Sequence, residues 1–157
     1  MTLKENAVVF DIDGTLLDTE YIFREILNLK LKGDAKWDYF MKHCNSEKTK
    51  PFDNILELWF CLSTRYEVFI STARNEKCKE TTLAKLQKSY FFIKEESIFM
   101  RKDGDYRAAV EVKKDHLNEI LKNYNIIAFI DDDHFVQTGV AGVKLAKELG
   151  IPALRKV

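Results

Sequence analysis

Two carboxylates one residue apart, Asp11 and Asp13, follow the apolar run Ala7-Val8-Val9-Phe10 and precede Gly14 and Thr15. Carboxylates held that close repel, which calls for a cation between them or a proton on one. A carboxylate so placed can attack phosphorus and form an aspartyl-phosphate, with Mg²⁺ screening the charges on nucleophile and substrate. The second carboxylate can protonate the leaving oxygen and then activate water. A lone Asp-x-Asp is more simply the cap of a turn and helix, with Gly14 supplying an αL conformation. An apolar strand running straight into Asp-Ile-Asp-Gly-Thr-Leu favours catalysis instead.

Such residues need a scaffold. The four apolar residues before Asp11 are too few for a helix, and their β-branched content favours a buried strand. Asp11 then stands at the strand's carboxyl end, where open α/β sheets bind ligands. Helical patterns follow over residues 19–31, ended by Gly33, and over 34–44, capped by Asp34. A polar loop leads to a third helix over 52–64, with Ile55, Leu56, Leu58, Trp59 and Leu62 facing the core. Residues 66–74 form a second strand, 76–88 a helix, 97–100 a third strand, and 110–124 another helix. A fourth strand over 126–130 ends in Asp131-Asp132-Asp133, followed by a helix over 134–149, ended by Gly150, and a last short strand near Ala153-Leu154. Strands alternating with helices predict an α/β fold, a parallel sheet joined by right-handed crossovers with helices on both faces. The chain reads as a single domain over 1–157. The sequence between the first two strands exceeds one crossover, so residues 19–50 are expected to form a small helical cap.

The first, second and fourth strands all end in polar residues although their bodies are apolar. Carboxyl ends of neighbouring parallel strands face one crevice, so this phasing gathers a site. At the second strand, Thr72 or Ser71 offers a hydroxyl to a phosphoryl oxygen; the plainer reading is a helix N-cap. At the fourth, one or two of the three carboxylates would complete a cation's oxygen shell opposite Asp11. An acid-rich helix N-terminus, favoured by the macrodipole, could account for Asp133 alone. Lys113 and Lys114 compete to neutralise the charge of nucleophile and phosphate, and spacing alone leaves the choice open.

Asp-Ile-Asp-Gly-Thr-Leu resembles the first motif of the haloacid dehalogenase-like (HAD) phosphatases. The resemblance implies a Rossmann-like fold, Asp11 as nucleophile and Asp13 as general acid/base. It implies Mg²⁺ bound by the Asp11 carboxylate and the Asp13 main-chain carbonyl. Ile130-Asp131-Asp132 matches the acidic fourth motif, with Asp131 first and Asp132 second as metal ligand. Ile70-Ser71-Thr72-Ala73-Arg74 is similar to the second motif in the form seen in phage polynucleotide kinase-phosphatases. There Thr72 takes the phosphate-binding place and Arg74 a substrate-facing one. Residues 100–107, followed by Val112-Lys113, look like a loop of the 3′-phosphatase domain of those enzymes, which favours Lys113. An acid expected four residues before that lysine is Ala109 here. No G-x-x-x-x-G-K-[ST] phosphate loop occurs, so any 5′-kinase or ligase activity would belong to a separate partner.

Composition narrows the rest. With 25 basic and 25 acidic residues the formal charge is zero, unlike proteins that coat long nucleic-acid tracts. Cys44, Cys61 and Cys78 show no C-x-x-C spacing and read as reduced packing thiols. No signal-like or membrane-spanning apolar run is visible, so a cytoplasmic protein without membrane attachment is expected.

Three functions fit these residues. The first is removal of a 3′-phosphate from a nucleic-acid end, with Arg74, Arg101 and Arg107 at the rim gripping a flanking phosphate and Tyr106 stacking on a base. The second is a small-molecule phosphatase such as a 5′-nucleotidase. The third is a non-catalytic binding module, which would have no need to keep Asp11, Asp13, Thr72, Lys113 and Asp131 together.

Overall fold

The structure is a computed structural model and describes residues 3–132 and 142–155. In chain order it contains β1 (Glu5–Phe10), β2 (Leu17–Asp18), α1 (Glu20–Asn28), α2 (Gly33–His43), β3 (Lys50–Pro51), α3 (Asp53–Ser63) and β4 (Glu67–Asn75). Then follow α4 (Lys79–Lys88), β5 (Ile98–Arg101), α5 (Ala109–Leu121), β6 (Tyr124–Asp131), α6 (Gly142–Glu148) and β7 (Ala153–Arg155). Five strands form one parallel sheet in the order β5-β4-β1-β6-β7, as the alternation of strands and helices predicts. This is the expected α/β Rossmann-like architecture.

Pleating sorts the strand residues onto two faces. Val8, Phe10, Ile70 and Ile130 join Ile55 and Trp59 of α3 and Leu86 of α4 in one core. Ala7, Val9, Phe69 and Phe129 join Leu117 and Ile120 of α5 and Leu145 and Ala146 of α6 in the other. Trp59 anchors the first core, with its ring centroid 5.1 Å from Phe10 and 5.3 Å from Phe91.

Between β1 and β4 the chain makes a helical hairpin, α1 against α2, with its own small core of Ile22, Ile26, Phe40 and Cys44. It lies within 19–50, the stretch where the sequence suggests a small cap. A two-stranded antiparallel pairing that the sequence pattern does not reveal, Leu17 with Pro51 and Asp18 with Lys50, closes its neck.

Some boundaries differ from the sequence reading. Helix α5 stops at Leu121 because Tyr124 and Asn125 already pair with Glu5 and Asn6 in the sheet. Asp34 does not cap α2, which starts at Gly33 with Lys32 as N-cap. The expected helix over 76–88 opens with a 3₁₀ turn, Glu76–Cys78, where the Asn75 side chain accepts a hydrogen bond from Lys77 N. Asp133, and residues 134–141 of the helix expected over 134–149, lie outside the described residues. No described helix is long and apolar enough to cross a membrane.

Candidate active site

Strand pairing explains how the acidic residues meet. Phe10 pairs with Ile70 on one side and Ile130 on the other. One residue further, Asp11 and Asp131 emerge on the face that Val9 and Phe129 share with α5. The Asp11 main-chain N–H donates to the Ile130 carbonyl at 3.0 Å, keeping the two strand ends together. Helix α5 buries Val112, Lys113, His116, Leu117 and Ile120, a stripe at helical spacing. Lys113 is the polar member nearest the strand ends, and its Nζ lies 3.1 Å from Asp11 Oδ1 and 2.8 Å from Asp131 Oδ2. Lys114 points outward and is exposed.

The turn after β1 is tight. The Ile12 carbonyl accepts from the main-chain N–H groups of Thr15, Leu16 and Leu17 at 3.1, 2.9 and 3.0 Å. Gly14 has φ +77°, and a Cβ there would stand 2.0 Å from Asp132 Oδ2, so only glycine fits between this turn and the acidic strand end. Asp11, Asp131 and Asp132 are all buried, and one carboxylate oxygen from each lies within 4.8 Å of the other two. An all-oxygen set of this kind suits a hard divalent cation, so these residues fit the Mg²⁺ that the sequence motif implies.

Electrostatics point the same way. Burial pushes the Asp11 carboxyl well above its usual range, Lys113 pulls against that, and Asp131, Asp132 and Asp13 add to the rise. Burial would depress the Lys113 ammonium, but the facing Asp11 and Asp131 outweigh it and hold the group charged. A divalent cation among the acids would favour ionised Asp11, the form a nucleophile needs.

At the end of β4 the three polar residues diverge. Ser71 is buried, its Oγ 2.9 Å from His116 Nδ1, while His116 Nε2 lies 3.2 Å from the Met100 carbonyl. A carbonyl only accepts, so Nε2 carries the proton and Nδ1 accepts from the serine hydroxyl. Burial lowers the His116 pKa to about 4 and so keeps this neutral tautomer. Thr72 is also buried, and its Oγ1 accepts from Arg74 N at 3.2 Å.

Arg74, expected to face substrate, is turned inward and is 3% exposed. Its Nε and Nη2 grip Asp13 at 3.0 and 2.7 Å. Burial disfavours the charge on Arg74, but Asp13 outweighs it and raises the pKa. Arg101 is likewise engaged by main chain, its Nε donating to Ala73 O and its Nη1 to Asp105 O and Arg107 O. Arg107 is exposed and ion-pairs with Asp105 and Asp115 at 2.8 and 2.7 Å. Tyr106 beside it is 91% exposed. The structure therefore gathers Asp11, Lys113, Asp131 and Asp132 in one cluster and ties Asp13 to Arg74 beside it. Arg101 and Arg107 lie outside that cluster, where they also hold together the loop after β5. His116 escaped the sequence reading, although its place three residues after Lys113 on the buried stripe was the available signal.

The family described as HAD superfamily, subfamily IIIB (acid phosphatase), matches residues 2–135. The chain belongs to the HAD superfamily. This HAD protein has the fold of several solved relatives. It superposes on the Pnkp1/Rnl/Hen1 RNA repair complex with TM-score 0.73 and 21% identity, over 98% of this chain and 42% of that one. For the class C acid phosphatase from Bacillus anthracis the TM-score is 0.68 and the identity 15%, over 95% and 61% of the two chains. A haloacid dehalogenase-like hydrolase from Streptococcus pneumoniae gives 0.60 and 19%, over 95% and 83%. The HAD chain thus spans less than half the length of the first of these relatives. No curated protein matches it in sequence.

Proposed function

We propose that this HAD protein hydrolyses phosphomonoesters with Mg²⁺ through an aspartyl-phosphate on Asp11, and that its substrate is a 3′-phosphorylated nucleic-acid end. The observation that carries the reading is the buried Lys113 ammonium between Asp11 and Asp131 at 3.1 and 2.8 Å. Its charge pulls against the burial that raises the Asp11 carboxyl. Asp11, Asp131, Asp132 and the Asp13 main-chain carbonyl would hold Mg²⁺, which screens charge on the nucleophile and the phosphoryl group. Asp11 attacks phosphorus in line with the leaving alkoxide. Asp13 gives that alkoxide a proton and then takes one from the water that cleaves the acyl phosphate. Thr72 and Lys113 hold the phosphoryl oxygens. Positioning and charge neutralisation supply most of the acceleration.

The nucleic-acid substrate is supported by the loop over 100–107 and by the likeness to a chain of an RNA repair complex. Arg101, Arg107 and the exposed Tyr106 would guide the strand end, and a separate kinase or ligase would be the partner. The test is phosphate release from a 3′-phosphorylated oligonucleotide beside a panel of nucleoside monophosphates, with Mg²⁺ and with EDTA. Asp11→Asn serves as blank and should abolish turnover while the fold persists. Preference for a mononucleotide would replace the nucleic-acid substrate with a small-molecule one. Substantial turnover by Asp11→Asn would remove the nucleophile assignment.

A further inference from the structure

Arg74 is a buried guanidinium with every N–H direction occupied. Nε and one Nη2 hydrogen meet Asp13; the other Nη2 hydrogen meets the Cys44 carbonyl at 3.4 Å. Nη1 donates to Asn45 Oδ1 at 2.7 Å and to Thr82 Oγ1 at 3.2 Å. Guanidinium can only donate, so the oxygen of Asn45 must be the atom turned toward it. The Asn45 amide nitrogen in turn donates to Thr81 Oγ1 and Thr82 Oγ1 at 3.2 and 3.3 Å. Two of the partners that orient Arg74, the Cys44 carbonyl and Asn45, come from the exit of the cap, directly after α2. Thr82 comes from α4 on the sheet side. The guanidinium thus sits across the joint between cap and sheet, with the Asp13 carboxylate on its third edge.

We infer that Asn45 is a positioning residue for Asp13, acting through Arg74, so that the seat of the cap on the sheet sets the aim of the proton donor. Its premise is the phosphatase reading above, in which Asp13 protonates the leaving oxygen. Removing the Asn45 oxygen leaves a buried N–H without an acceptor, and a rigid planar fork cannot regain one without rotating. Rotation displaces Asp13, and a shift of about 1 Å in a catalytic group can cost on the order of a hundredfold in rate. The loss should follow the leaving group. An alkoxide departs only with a proton delivered to it, whereas a nitrophenolate departs without one.

The test compares kcat/KM for wild type and Asn45→Ala on two substrates with Mg²⁺, a 3′-phosphorylated nucleoside and p-nitrophenyl phosphate. This parameter reports the steps through departure of the leaving group, so the later water-activating role of Asp13 does not enter. The expected result is a ten- to hundredfold fall on the alkyl ester and less than a threefold change on the aryl ester. Thr82→Val, which removes the other acceptor of the same Nη1 without changing shape, should reproduce the split. An equal fall on both substrates, or no fall on either, overturns the inference while the phosphatase reading stands. If wild type releases phosphate from neither ester, the phosphatase reading fails and the inference with it.

Discussion

His116 is held neutral between Ser71 and the Met100 carbonyl, with a pKa lowered from 6.5 to about 4, chiefly by burial and in part by the nearby Lys113 charge. In the unfolded chain the same imidazole takes its proton near 6.5. Between the two values the unfolded state binds more protons, so stability is complete above 6.5 and falls as the pH drops toward 4. The difference amounts to about 2–3 kcal/mol lost between pH 7 and pH 4.5, at roughly 1.4 kcal/mol per unit. His116→Gln keeps a donor for the Met100 carbonyl but cannot titrate. The assay is urea unfolding of both proteins at pH 7 and 4.5. The glutamine variant will start weaker at pH 7, yet its loss on acidification should be smaller than that of wild type by about 2–3 kcal/mol. Equal losses in the two proteins would refute the linkage, as would an NMR titration of the His116 ring with a midpoint near 6.5.

Lys113→Met leaves Asp11 and Asp131 buried without their shared cation, and should cost about 3–5 kcal/mol of stability in EDTA-treated protein, read by chemical denaturation, together with phosphatase turnover. A variant as stable as wild type would mean the lysine does not hold the strand ends. Gly14→Ala puts a methyl group into Asp132 at φ +77°; it should cost about 1–3 kcal/mol and raise the Mg²⁺ concentration for half-maximal thermal stabilisation. An unchanged Mg²⁺ titration would separate this turn from the acidic cluster. Trp59→Ala empties the space between Phe10 and Phe91 and should cost about 3–5 kcal/mol, with urea midpoint as the measure. A loss below about 1 kcal/mol would show that Phe10 and Phe91 close the gap.

Much of this fold can be read along the chain because strands and helices differ in period and the strand ends are chemically marked. Asp11 and Asp131 belong to different strands, yet each follows a short apolar run, and parallel pairing then brings them side by side. Spacing alone left Lys113 and Lys114 open, the resemblance favoured Lys113, and the helix phase turns Lys113 inward beside Val112 and His116. The inward turn of Arg74 was hidden for a different reason: its partners Asn45 and Thr82 come from a polar loop and a helix whose sequences carry no periodic sign of contact. The β2–β3 pairing was hidden as well, since two residues are too few to alternate. Where α5 ends and β6 begins was set by the pairing of Tyr124 with Glu5, a contact across most of the chain rather than a local preference.

The neck formed by β2 and β3 makes the cap exchangeable. Asp18 and Lys50 leave and rejoin the sheet domain as paired antiparallel neighbours, whose Cα atoms stand about 5 Å apart, a gap that a two-residue hairpin turn spans. A replacement of the stretch between them would keep the chain path into and out of β1 but would have to cover the sheet core where Met41 packs. Such a graft would leave the acidic cluster intact yet remove the Cys44 carbonyl and Asn45 from Arg74. In the proposed mechanism a change of cap is therefore also a change to the surroundings of Asp13, the acid that would meet the leaving group.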